Sequence, residues 1–229
     1  MARLLLVAAS AALLASTASA AAVLVVRSSG PSAAAYPPGK ALPETHMLKL
    51  KPSDVVVLLD ARGTRTLSGP GNFSVSANAA PVAAASGTAG TSARRVMLGA
   101  VRGTGTRSVW QADLGRSGNV CIANPADLGL YRADASTEAN VTLTEAASGT
   151  KADVHFATGQ SIAAWPAALP ANAGTKITVA GLSGPATLTL RVLKPIPTGL
   201  ESMAQSLIRA DCQAQLDVLI DTFSARSEG

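Results

Sequence analysis

Ala139-Asn140-Val141-Thr142-Leu143-Thr144-Glu145 and Ala186-Thr187-Leu188-Thr189-Leu190-Arg191-Val192-Leu193 decide the fold class of this chain. In both, apolar and hydroxyl side chains alternate with period two. Val141 and Leu143 point one way with Thr142 and Thr144 opposite, and Leu188 and Leu190 alternate with Thr187 and Thr189 in the same manner. That is the pattern of a strand with one face in a core and one in water. Working outward, similar short runs recur at Ser108–Trp110, Gly118–Ala123, Leu128–Arg132, Ala152–Ala157, Ser161–Trp165 and Thr175–Ala180, with Gly, Asn or Pro between them. Strands at this spacing with turn residues in the gaps predict an immunoglobulin-like antiparallel β-sandwich over 108–197.

The preceding part of the chain is also β in character. Val23-Leu24-Val25-Val26-Arg27 is a β-branched run closed by Ser28-Ser29-Gly30-Pro31. Met47 to Lys51 alternates apolar and basic residues, and Val55-Val56-Val57-Leu58-Leu59 is a continuous apolar run between Asp54 and Asp60, the sign of a strand buried on both faces. Ala61-Arg62-Gly63 and Ser68-Gly69-Pro70-Gly71 then turn the chain twice, into Thr64–Leu67 and Phe73–Val75. The pattern predicts a β-meander over 21–76. Residues 77–107 follow as an Ala/Gly/Ser-rich linker with a possible short helix at 93–101.

Beyond Pro197 the period changes to that of a helix. Thr198 with Glu201 three residues on has the form of a capping box, and an amphipathic helix is predicted over 198–225. Its apolar stripe runs through Leu200, Met203, Leu207, Ile208, Cys212, Leu216, Leu219, Ile220 and Phe223, opposite Ser206, Arg209, Gln213 and Asp217. The fold class expected is therefore mainly β: a small β-domain, a β-sandwich and a C-terminal helix.

Composition narrows the function. Of 229 residues only 14 are acidic and two are His, leaving few groups for acid–base chemistry or a multinuclear metal site, and two Cys cannot make a four-cysteine zinc site. No cofactor is implied. The mean hydropathy of +0.29 and a net charge of +5 disfavour disorder. Residues 1–20 read as a signal peptide: Arg3, an apolar Leu4–Ala15 stretch, and small residues at Ala18-Ser19-Ala20. Cleavage is expected between Ala20 and Ala21, with the bond after Ala22 the neighbouring choice; an uncleaved anchor using the uncharged interval from Arg3 to Arg27 is the rival reading. The expected destination is the periplasm or the cell exterior, with no transmembrane segment in the mature chain.

In an oxidising compartment Cys121 and Cys212 are expected to pair and to staple the helix to the sandwich, a restraint worth up to about 4–5 kcal/mol on the chain-entropy model. From Lys40 to Arg116 there are ten basic and four acidic residues, whereas Ser117 to Gly229 carries seven basic and ten acidic. Arg94, Arg95, Arg102 and Arg107 fall in a stretch without acids and are candidates for contacting an acidic protein surface or an anionic polysaccharide. Nucleic acid is excluded by export and by the lack of aromatic residues among those arginines. Trp110 and Trp165 are expected in the sandwich core, with sugar stacking the alternative use. His46 and His155 read as isolated surface histidines, and Asp60, Asp113 and Asp153 as strand-end residues.

Leu50 to Gly71, which reads Leu-Lys-Pro-Ser-Asp-Val-Val-Val-Leu-Leu-Asp-Ala-Arg-Gly-Thr-Arg-Thr-Leu-Ser-Gly-Pro-Gly, resembles the FecR-like periplasmic β-domain: a Gly-Asp step, an apolar strand, a short turn and a Gly-Pro hairpin. Ser53 stands where that pattern has glycine. The chain as a whole resembles exported alphaproteobacterial proteins in Val25–Ser32, Trp110, Cys121 and Gln215–Leu219. The resemblance implies an envelope β-module that touches other proteins, and it brings no activity with it. Three classes of function follow: a non-enzymatic binder of an envelope protein, a binder of cell-wall or surface polysaccharide, and a hydrolase with carboxylates gathered between domains.

Overall fold

The computed structural model describes residues 22–76 and 107–224. The first of these segments holds six strands: β1 (Ala22–Ser29), β2 (Ala41–Pro43), β3 (Met47–Leu50), β4 (Val55–Asp60), β5 (Gly63–Ser68) and β6 (Gly71–Ser74). Four make an antiparallel sheet in the order β2-β1-β4-β5, and β3 pairs with β6 separately. This is not the simple meander the sequence suggests. β1 sits between β2 and β4 because its apolar run has no polar face: Leu24 and Val26 are buried on one side, Val23 and Val25 on the other. β4 divides likewise, with Val57 and Leu59 opposite Val56 and Leu58. Two doubly apolar strands side by side give a sheet that must be covered on both faces. One face is covered locally, by Tyr36, Leu42, Leu48, Leu50, Leu67 and Val75.

The turn into β4 is built around Asp54, which is buried. Its carboxylate accepts the Ser32 N–H at 2.8 Å and the Lys51 N–H. A Cβ on Gly30 would stand 2.6 Å from that carboxylate, and Gly30 has φ +95, so no other residue fits. Ser53 itself has φ +67.

The second segment contributes β7 (Gln111–Asp113), β8 (Gly118–Ile122), β9 (Gly129–Tyr131), β10 (Ala139–Glu145), β11 (Lys151–Phe156), β12 (Ile162–Ala164), β13 (Lys176–Ala180) and β14 (Ala186–Val192). A five-stranded sheet, β11-β10-β13-β14-β8, and a three-stranded one, β12-β9-β7, enclose a core that includes Leu114, Leu130, Val141, Leu143, Phe156, Ile177 and Leu190. The alternating strands lie as expected, their leucines and valines inward and their threonines outward. Two pairs depart from antiparallel order: β8 runs parallel to β14 and β7 parallel to β9. Neither pair can be a hairpin, and the intervening strands supply the crossover that parallel pairing needs. Ser108–Trp110 is a turn that precedes β7, not a strand.

The expected single terminal helix is two helices, α1 (Leu200–Arg209) and α2 (Gln213–Ser224). The break is a C-terminal cap: the Asp211 N–H donates to Ile208 O and the Cys212 N–H to Leu207 O, with Asp211 at φ +54. That is the Schellman arrangement, with Asp in the place usually given to glycine. The capping box also does not form. Gly199, at φ +83, holds the N-cap position without a side-chain bond, and Glu201 accepts instead from Gln205 Nε2 at 3.0 Å.

The helix pair forms a middle layer. Leu207, Cys212, Leu216, Leu219 and Phe223 share one core with Leu24, Val26, Val57 and Leu59 of the N-terminal sheet and with Cys121 and Leu193 of the sandwich. Polar contacts repeat this bridging. Asp217 of α2 takes Arg27 from β1 and Arg116, at 2.9 Å, from the sandwich, while Thr64 Oγ1 of β5 donates to Ile220 O at 3.2 Å.

Candidate functional site

The polar centre of the molecule lies where α2 meets β8, and it starts from a problem of strand edges. β8 ends the five-stranded sheet, so one side of its backbone has no strand partner. The helix supplies one. Gln215, buried in the apolar face of α2, accepts the Cys121 N–H through Oε1 and returns its own Nε2–H to Cys121 O at 2.8 Å and to Val109 O at 2.6 Å. One side-chain amide thereby does what a neighbouring peptide group would do in a ladder. One helical turn earlier Cys212 is bonded to the same Cys121, as expected, with Cα atoms 5.9 Å apart and both residues inaccessible.

Beside this junction opens a cleft of about 170 Å³, lined among others by Gln111, Asp113, Arg116, Asn119, Asp211 and Gln213. Its charged and amide groups are bonded within the chain. Asp113 accepts Arg107 Nη2 at 2.6 Å on one oxygen and the Gly115 N–H at 3.0 Å on the other. Arg116 is on Asp217, Asn119 Nδ2 on Ala210 O at 3.1 Å, and Gln213 Nε2 on Asp211 at 2.9 Å. Two carboxylates, those of Asp113 and Asp211, line the cleft. Among the described residues no cluster of His, Cys, Asp or Glu suits a metal ion.

Of the sequence-predicted site residues, Ala20, Ala21, Arg94, Arg95 and Arg102 lie outside the described residues. Arg107 is half-buried, paired with Asp113, its guanidinium 4.5 Å from the centre of the Tyr131 ring. Trp165 packs on the sandwich core and donates its indole N–H to Leu169 O at 3.1 Å. Trp110 packs against the helical core rather than the sandwich core, because the turn that carries it precedes β7 and faces α2. His155 is exposed and bonded to Asn140 at 2.9 Å; His46 meets the Tyr36 ring edge-on.

Two residues that hold this arrangement together, Gln215 and the bridging Asp217, were not anticipated as such, and neither was Asp54 at the turn into β4. Gln215 carried a signal, a lone amide between Cys212 and Leu216 on an otherwise apolar helix face. Asp54 is the one whose ionisation matters to the fold. Its burial opposes the charge, but the bonds from Ser32 and Lys51 and the Lys51 ammonium outweigh it and hold the carboxyl below its ordinary pKa.

Comparison with known proteins found no matching family model, no matching curated protein and no matching solved structure. No described helix is long and apolar enough to cross a membrane.

Proposed function

We propose that this chain is an exported, non-enzymatic module of the cell envelope that works by binding another envelope protein. The observation that carries the reading is the junction around Cys121: a buried disulfide, fitting an oxidising compartment, beside a helix, α2, whose polar groups bond to both the N-terminal sheet and the sandwich. Such a body is a scaffold. The resemblance of Leu50–Gly71 to FecR-like domains supports the same compartment. Paired-carboxylate hydrolysis draws no support from the cleft, since Asp113 has both oxygens engaged. The arginines offered to a partner are then Arg94, Arg95 and Arg102, because Arg107 is held by Asp113 and Tyr131. Polysaccharide binding is the second reading, weakened by the half-buried positions of Trp110 and Trp165.

The test is crosslinking of the tagged protein in its own cells, capture under denaturing conditions and identification by mass spectrometry, for the wild type and for R94S/R95S/R102S. A single envelope protein, recovered reproducibly and lost in the triple variant, is expected. Unchanged recovery refutes the arginine assignment, and co-sedimentation with purified sacculi in place of any protein partner moves the reading to polysaccharide.

A further inference from the structure

The five-stranded sheet has two edges, and only one is closed. β8 is capped by Gln215, but β11, at the other end, pairs with β10 alone. The polarity of its open side follows from one bond. Glu145 N–H donates to Thr150 O at 2.9 Å, which makes 145 and 150 a hydrogen-bonded pair of the β10–β11 ladder. Bonded and non-bonded pairs alternate in antiparallel sheets, so Ala152, Val154 and Phe156 also turn their backbone groups to β10. Lys151, Asp153 and His155 turn theirs to the open edge. The same three side chains are exposed, on the outer face of the sheet.

We propose that this edge pairs with β11 of a second copy of the chain, antiparallel about a two-fold axis at Ala152, joining the two five-stranded sheets. Charge complementarity selects both the occupant and the register. Only residues 151, 153 and 155 have free backbone groups, so a copy must pair odd residues with odd. Centring on Asp153 sets it against itself, centring on Lys151 does the same for lysine, and centring on Val154 leaves Lys151 with no opposite charge. Centring on Ala152 sets Lys151 against Asp153 of the second copy twice over, with two small side chains on the axis. Lys151 is in no ion pair among the described residues. Asp153 gives one oxygen to Thr142 Oγ1 at 2.6 Å and keeps the other for a cation. A lysine on an edge strand normally discourages pairing. Here its complement lies two residues along, so one self-pairing is favoured while others set like charges opposite.

The inference does not depend on the identity of any envelope partner. The experiment is light scattering on the purified exported protein over a dilution series, with far-UV circular dichroism to check folding. The wild type should reach twice the monomer mass; a monomer at every concentration overturns the proposal. K151D and D153K alone each set like charges opposite and should weaken association at least about tenfold. The double swap K151D/D153K restores opposite charges and should restore the dimer. A D153K that dimerises as tightly as the wild type, or a folded double swap that stays monomeric, refutes the pairing. In the same assay A152C should crosslink across the axis on oxidation, and crosslinking through V154C instead would refute the register.

Discussion

Replacing Gln215 with Leu isolates the amide that closes the β8 edge. The substitution keeps the volume and the apolar setting but orphans three groups: Cys121 N–H, Cys121 O and Val109 O. The disulfide one turn away keeps α2 from retreating to let water in. The two groups on Cys121 are buried and cost about 1 kcal/mol each at the low end, whereas Val109 O is part-buried, so the loss should be about 2 kcal/mol, a drop in Tm of roughly 4–8 °C for a chain of this size. Urea unfolding of the oxidised protein measures it, read as a shift in midpoint at constant slope. Gln215→Glu adds a check of sign. Its carboxylate would face two carbonyl oxygens, so its folded pKa lies above the unfolded one. Its stability should therefore be greatest below the ordinary Glu pKa and fall as pH rises through the folded value. A Q215L protein within about 0.5 kcal/mol of wild type would refute the edge-cap reasoning.

Other expectations can be measured in the same way. Ser53 is held at φ +67, so Ser53→Gly should raise stability by about 1 kcal/mol, and a loss would show that the serine side chain contributes more than the strain. The Asp54 carboxyl is depressed in the fold, so its contribution is complete above its unfolded pKa and is lost as pH falls through the folded pKa. Asp54→Asn should flatten the acid limb of the unfolding curve, and an unchanged limb would contradict this. A protease site engineered between 77 and 106 should yield two fragments that stay together without denaturant, because β1 and β4 pack on α2; separation of the cut pieces would refute the shared core. Under the proposed export, the protein recovered from its own cells is expected to have an intact mass beginning at Ala21, and one beginning at Met1 would refute cleavage.

The strands were legible because their signals are local. Val141-x-Leu143 and Leu188-x-Leu190 announce which face is buried, and Val55–Leu59 announces that both are. Strand order was not, since nothing within β1 says that it inserts between β2 and β4. The unbroken apolar stripe from Leu200 to Phe223 concealed the turn at Asp211, because the stripe continues in phase across the break and the cap residue is not the glycine that usually marks it. Pairing of Cys121 with Cys212 followed from there being only two cysteines. The atoms that Gln215 would meet depended on tertiary approach, so its position on the stripe was visible but its partners were not.

Leu24 and Phe223 belong to one core, though almost the whole described chain separates them. The strand that leads therefore keeps one face uncovered until the helices that trail have been made, and its Leu24 and Val26 stay open to other contacts in the meantime. Folding of this kind is governed by long loops closing late, which slows it and lengthens the exposure to aggregation. A chaperone that holds the leading strand would thus raise yield by shielding Leu24 and Val26 until α1 and α2 have been made.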